Sequence, residues 1–120
     1  MFEVVPYRFK YNDSDCKDSS HLAHDRAYRK HFINKYKLYN RNIINVFCVN
    51  KGHRNGIELH VVYRSGIIKI INPLNRRIVT YLIARPHQIK RYYELTGMKL
   101  RNSKVLEIAY ENYLKGYNLI

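Results

Sequence analysis

The sequence predicts an α+β fold: an antiparallel sheet of about four strands, with an N-terminal helix and two C-terminal helices packed on one face. Three observations lead there. Residues 57–93, IELHVVYRSGIIKIINPLNRRIVTYLIARPHQIKRYY, read as three strands feeding one helix. They hold most of the apolar β-branched residues and much of the positive charge. Residues 21–39, ahead of them, lack Gly and Pro and carry an imperfect apolar stripe at helical spacing.

Each element has a local reason. Phe2–Phe9 reads as a short extended segment, and Pro6 confines it to the edge of a sheet. Asn12–Ser20 is polar and acidic, hence a loop, with Ser19 or Ser20 able to cap the next helix. His21–Tyr39 is that helix, its stripe formed by Leu22, Ala23, Ala27, Ile33 and Tyr36. Ile43–Asn50 is the first core strand, with Ile44, Val46 and Cys48 opposing Ile43, Asn45, Phe47 and Val49.

Lys51–Gly56 is a basic loop into the next strand, Ile57–Arg64. There Ile57, Leu59, Val61 and Tyr63 point one way, and Glu58, His60, Val62 and Arg64 the other. Ser65-Gly66 turns the chain back into Ile67–Ile71. Asn72–Asn75 is a second turn, with Pro73 where a fixed φ is free of strain. In Arg77–Ala84, Arg77, Val79, Tyr81 and Ile83 face away from Ile78, Thr80, Leu82 and Ala84. Pro86 suits a helix start and Gly97 a helix end, which bounds a helix over His87–Thr96. The last helix is Ser103–Lys115, capped by Asn102, buried along Val105, Leu106, Ala109 and Tyr113, and stopped by Gly116.

A chain of 120 residues is expected to form one domain, 1–120, with a real core. Its net charge of +13 is large and unevenly placed. Residues 1–25 hold the acids Glu3, Asp13, Asp15, Asp18 and Asp25, whereas residues 26–93 hold fifteen Lys or Arg against the single acid Glu58. Such a field favours phosphate polyanions, RNA or another nucleic acid, and equally an acidic protein partner. Twelve tyrosines without a tryptophan can fill a core, stack on bases or form a homodimer contact. Cys16 and Cys48 make neither a zinc pattern nor a disulfide framework. No secretory or membrane-spanning run stands out, so a cytoplasmic protein without a membrane partner is the expectation.

The candidate chemistry lies in the basic centre. His60 shares a strand face with Glu58 and Arg64, and that face is expected to be open and basic if the helices cover the Leu59 side. An imidazole or a carboxylate there can take a proton from a ribose hydroxyl. His53, in the Lys51–Gly56 loop, is a rim candidate. Arg77 can neutralise a phosphate transition state, and Thr80 can hold a phosphate oxygen. Strict alternation leaves these two on opposite faces. Arg85, His87, Gln88 and Arg91 at a helix start resemble a phosphate cradle, with Arg64, Arg76 and Tyr92 as further nucleic-acid contacts. There is no Walker loop, dinucleotide fingerprint or H-E-x-x-H, and the aspartates are N-terminal, so neither cofactor nor metal is expected.

The phrase from Ile78 to Tyr93, IVTYLIARPHQIKRYY, is similar to the last strand and following helix of BrnT-type toxins. Residues 20–96 as a whole resemble the barnase/RelE-like superfamily of toxin ribonucleases, from which the two further helices after Ala84 are a departure. The resemblance implies metal-free cleavage of RNA beside a 2′-hydroxyl, leaving a 2′,3′-cyclic phosphate, and an acidic antitoxin or immunity partner. It implies His24 or His31, His60, Arg77 and Thr80 as the working residues. The leading expectation is therefore a metal-independent endoribonuclease. Its rival is a non-catalytic phage or mobile-element protein that binds nucleic acid, or inhibits a nucleoprotein complex, through its basic face.

Overall fold

A computed structural model describes residues 3–9, 11, 17–18, 26–52, 56–100 and 104–115. The expectations for the loop and caps over 12–16 and 19–20, with Cys16, for the helix start over 21–25, with His24, and for His53, Asn102, Ser103 and Gly116 lie outside these residues. Five strands form the antiparallel sheet: β1 (Glu3–Pro6), β3 (Ile43–Asn50), β4 (Ile57–Tyr63), β5 (Ile67–Asn72) and β6 (Arg77–Ile83). A two-residue strand, β2 (Lys17–Asp18), adds parallel to β6, and the order is β1-β3-β4-β5-β6-β2. The helices are α1 (Arg26–Tyr36), α2 (Pro86–Thr96) and α3 (Lys104–Leu114), and a short 3₁₀ turn, Asn40–Asn42, leads into β3.

The three helices do not form one layer. Ile89, Tyr92 and Tyr93 of α2 and Val105 and Ala109 of α3 pack with Phe47, Val49, Val62 and Ile68 on one side of the sheet, the helix face. The other side buries Leu59, Val61, Ile67 and Ile71 among Tyr36, Tyr63 and Tyr81, with Tyr7 and Tyr11 partly buried: the tyrosine face. Of α1, Ile33 and Tyr36 in its last two turns reach this second cluster. The expectation of three helices on one face is thus corrected. Both sides of β4 and β5 are apolar, so each needs a cover, and helices of one face cannot shield the other.

The predicted alternation holds through β4 and breaks in β3 and β6. The β3–β4 register shifts between Ile43 and Asn45, so Ile43 joins Val46 and Cys48 on the tyrosine face, while Ile44 packs with the helix-face cluster. The β5–β6 register shifts as well: Ile70 faces Thr80 but Ile71 faces Ile78, which leaves Val79 as the extra residue. Ile78 accordingly packs with Tyr81 and Ile83, where strict alternation puts it with Thr80 and Leu82.

Turn chemistry explains the ends. Gly66 adopts φ +82°, and a Cβ there would lie 2.6 Å from that of Ala109, so only glycine lets α3 settle on the β4–β5 turn. Gly97 ends α2 in the left-handed conformation, as expected. Tyr113, predicted in the buried stripe of α3, is instead 40 % exposed, with the Arg85 guanidinium 5.3 Å from its ring centre.

Candidate functional site

Glu58 and His60 do share a face, but it is the helix face. His60 is 6 % exposed and lies beneath α2, which corrects the expectation of an open basic surface around it. Tyr92, predicted as a nucleic-acid contact, is buried as well and meets His60: its hydroxyl lies 2.8 Å from Nδ1. His60 Nε2 lies 3.1 Å from Glu58 Oε1, and Lys51 Nζ lies 3.0 Å from the same oxygen. The four side chains form a line from the surface to the core.

Electrostatics selects one tautomer for that line. Burial lowers the His60 pKa, outweighing the attraction of Glu58, so the ring is neutral at pH 7. A neutral ring donates once and accepts once. Glu58, an acceptor, takes the Nε2–H, and Tyr92 donates its O–H to Nδ1. Burial pushes the Glu58 carboxyl up, but hydrogen bonds from His60 and Lys51 and the Lys51 charge more than offset it, and the net shift is down. Burial, with the Glu58 charge nearby, pushes the Tyr92 hydroxyl up to about 12, so it remains a donor. Both ring nitrogens of His60 are engaged. Glu58, half-buried beside the exposed Lys51, is the accessible acid–base group of the line.

The remaining candidates are spread out. Thr80 lies in the same row of the sheet as His60, with Ile70 between them. Two strand spacings put them about 10 Å apart. The β6 bulge, by inverting the alternation upstream of it, brings Arg77 to the helix face, the side on which Thr80, Glu58 and His60 lie. Arg76 sits in the β5–β6 turn at φ +56° and is exposed. Arg77 is exposed and Thr80 half-buried, its hydroxyl donating to the Tyr81 carbonyl at 3.2 Å.

Arg85, His87, Gln88 and Arg91 are all exposed. The Gln88 side chain, however, accepts the Arg85 N–H at 2.9 Å, so it caps α2. His31 is exposed on α1. β6 separates two groups of arginines by about 20 Å of strand. Arg76 and Arg77 lie at one end of the sheet. Arg64 and Arg85 lie at the other, where the Ala84 N–H donates to the Gly66 carbonyl at 3.0 Å.

That second end holds residues that sequence reasoning missed. Lys35 and Lys37, at the end of α1, and Lys115, after α3, join Arg64 there around a cavity of about 380 Å³. Of these only Arg64 is a sequence candidate, since lysines at helix ends ordinarily complement the helix dipole and give no sequence signal of convergence. Lys51 is equally hidden in the sequence: it needs the β3–β4 register, which pairs Val49 with Glu58, to meet its acid.

Every Lys and Arg whose side chain is described is exposed, except Lys69. Lys69 is 3 % exposed on the tyrosine face, with Nζ 5.5 Å from the ring centres of both Tyr11 and Tyr63. Among the described residues no group of three His, Cys, Asp or Glu could hold a metal ion, and no helix is long and apolar enough to cross a membrane. Comparison with protein families, with curated proteins and with solved structures finds no match.

Proposed function

We propose that the protein binds nucleic acid through phosphate contacts at the Gly66 end of its sheet. One observation supports this above the others. Lys35, Lys37, Arg64, Arg85 and Lys115, from segments far apart in sequence, are all exposed at that end. Exposed cations on one surface neutralise phosphates and release counterions, so binding falls steeply with salt. The exposed Tyr113, already beneath the Arg85 guanidinium, offers a ring on which an unpaired base can stack. Single-stranded RNA or DNA fits this pairing of charge and ring best. The test is retardation of labelled single strands by the purified protein over a range of salt. Reversal of two charges in Arg64→Glu/Arg85→Glu should lower affinity at least tenfold more than Arg76→Glu/Arg77→Glu, at about 1.4 kcal/mol per tenfold. Equal losses would refute the placement.

A second reading, metal-independent RNA cleavage, is favoured by the β6 bulge, which puts Arg77 and Thr80 on the face of Glu58 and His60. In it Glu58 takes the proton of the ribose 2′-hydroxyl, the freed oxygen attacks the adjacent phosphorus, and the 5′-oxygen leaves with a proton from solvent. Arg77 neutralises the phosphate charge, and His60 positions Glu58. RNA cutting that persists in EDTA and disappears in Glu58→Gln would establish it. Retardation without cutting leaves the binding module alone.

A further inference from the structure

The cavity at the Gly66 end is a built site. Three segments line it: the end of α1, the β4–β5 turn and the last turn of α3. Each is tied to the next. Lys37 holds φ +55°, an uncommon conformation for a side-chain-bearing residue, and its carbonyl accepts Asn42 Nδ2 at 2.7 Å. The Asn42 carbonyl in turn accepts the Arg64 N–H at 2.8 Å. Asn112 Nδ2 donates to the Ser65 carbonyl at 2.7 Å, and Gly66 seats α3 against the turn. Ser65 lines the cavity, and its hydroxyl is buried without a hydrogen-bond partner among the described residues.

The charge lining this cavity is of one sign. Lys35, Lys37, Arg64 and Lys115 line it, and among the described residues no acidic side chain does. Two helix C-termini end here, each equivalent to roughly half a negative charge. They offset about one unit of the four. The remaining positive charge fits a dianion with strong acceptor oxygens, and a volume of about 380 Å³ leaves room for what that anion is attached to. We propose that this pocket binds a terminal phosphate group. Two sources carry such a group, the phosphorylated end of a nucleic acid and a small phosphorylated compound. Only the first rests on the nucleic-acid reading above.

The test uses the full chain and two probes. Pyrophosphate is titrated while the backbone amide resonances of Ser65, Gly66 and Asn112 are followed by NMR. Those signals should shift, and Arg64→Gln/Lys115→Gln should weaken the apparent affinity by about tenfold or more, since each charge-assisted contact is worth at least that much. The control Arg76→Gln/Lys90→Gln removes as much charge from exposed positions elsewhere and should weaken it less than threefold or so, the effect of the general field alone. Thermal melting of both variants checks that they fold, and Lys37→Gln/Lys115→Gln replaces the first pair if it does not. No shift at the three amides, or equal loss in both double variants, overturns the proposal. A single-stranded oligonucleotide with a 5′-phosphate is then compared with its 5′-hydroxyl twin. A preference that vanishes in Arg64→Gln/Lys115→Gln assigns the phosphate to a nucleic-acid end. Pyrophosphate binding with no such preference assigns it to a small phosphorylated compound.

Discussion

Among the described residues each face of the sheet buries one basic side chain, and the two faces accommodate it by different means. On the helix face, His60 is surrounded by groups that suit its neutral form: a tyrosine hydroxyl for one nitrogen and a carboxylate for the other. On the tyrosine face, Lys69 lies between aromatic rings, whose negative faces attract an ammonium group. The helix face therefore depends on directional hydrogen bonds and a tight helix seat. The tyrosine face sets its cation against two rings, a contact that tolerates small displacements. The difference explains much of the tyrosine excess: Tyr36, Tyr63, Tyr81, Tyr92 and Tyr93 are all core residues, leaving Tyr110 and Tyr113 as exposed rings on α3.

The comparison can be broken most strongly at the helix seat. Gly66→Ala forces a methyl group to 2.6 Å from Ala109 Cβ and imposes a left-handed φ on alanine. Overpacking plus that strain should destabilise the fold by about 3 kcal/mol or more. Urea unfolding measures it, and a loss below 1 kcal/mol or so would mean that α3 shifts freely on the sheet. Next comes the tyrosine face. Lys69→Ala removes a desolvated cation–π contact and a packed aliphatic stem, for a loss of about 2 kcal/mol. Equal or greater stability in the variant would show that the rings do not hold the cation.

The smallest expected effect sharpens the histidine side. Tyr92→Phe leaves Nδ1 without its donor and should cost about 1 kcal/mol. Its pH dependence is distinctive. The His60 pKa is lower in the folded protein than the 6.5 of a free imidazole, so below that value the unfolded chain binds a proton that the folded one does not. Stability should be fully present above about pH 6.5 and fall as the pH drops through it, until the folded ring itself titrates. Glu58, whose folded carboxyl is held below the ordinary 4.5, adds a second loss as the pH falls further, through and below that value. Tyr92→Phe should keep the first loss, because burial is its main cause. A flat stability profile between pH 5 and 7 would contradict a neutral buried His60.

Much of the fold was legible in the chain because its signals are local. Pro86 and Gly97 bracket α2, Ser65-Gly66 turns β4 into β5, and the period of two in β4 separates Leu59 and Val61 from His60 and Val62. The pairing of Glu58 with His60 was legible for the same reason, being two residues apart on one strand. Which side those residues occupy was not. Both faces of β4 are apolar, and nothing in the strand says which one α2 and α3 will take.

The sequence by itself determined the element types, the antiparallel meander and the large positive field, since these follow from backbone propensity, periodicity and a count of charges. Only the tertiary structure decided the rest. It placed α1 opposite the other helices, buried His60 under Tyr92, and used bulges in the β3–β4 and β5–β6 pairings to re-aim Ile43 and Arg77. It also gathered Lys35, Lys37, Arg64 and Lys115 around one cavity. The reason is physical. Helix placement and register depend on how whole apolar surfaces fit together, as at Gly66 and Ala109, and such fits join residues that have no relation along the chain.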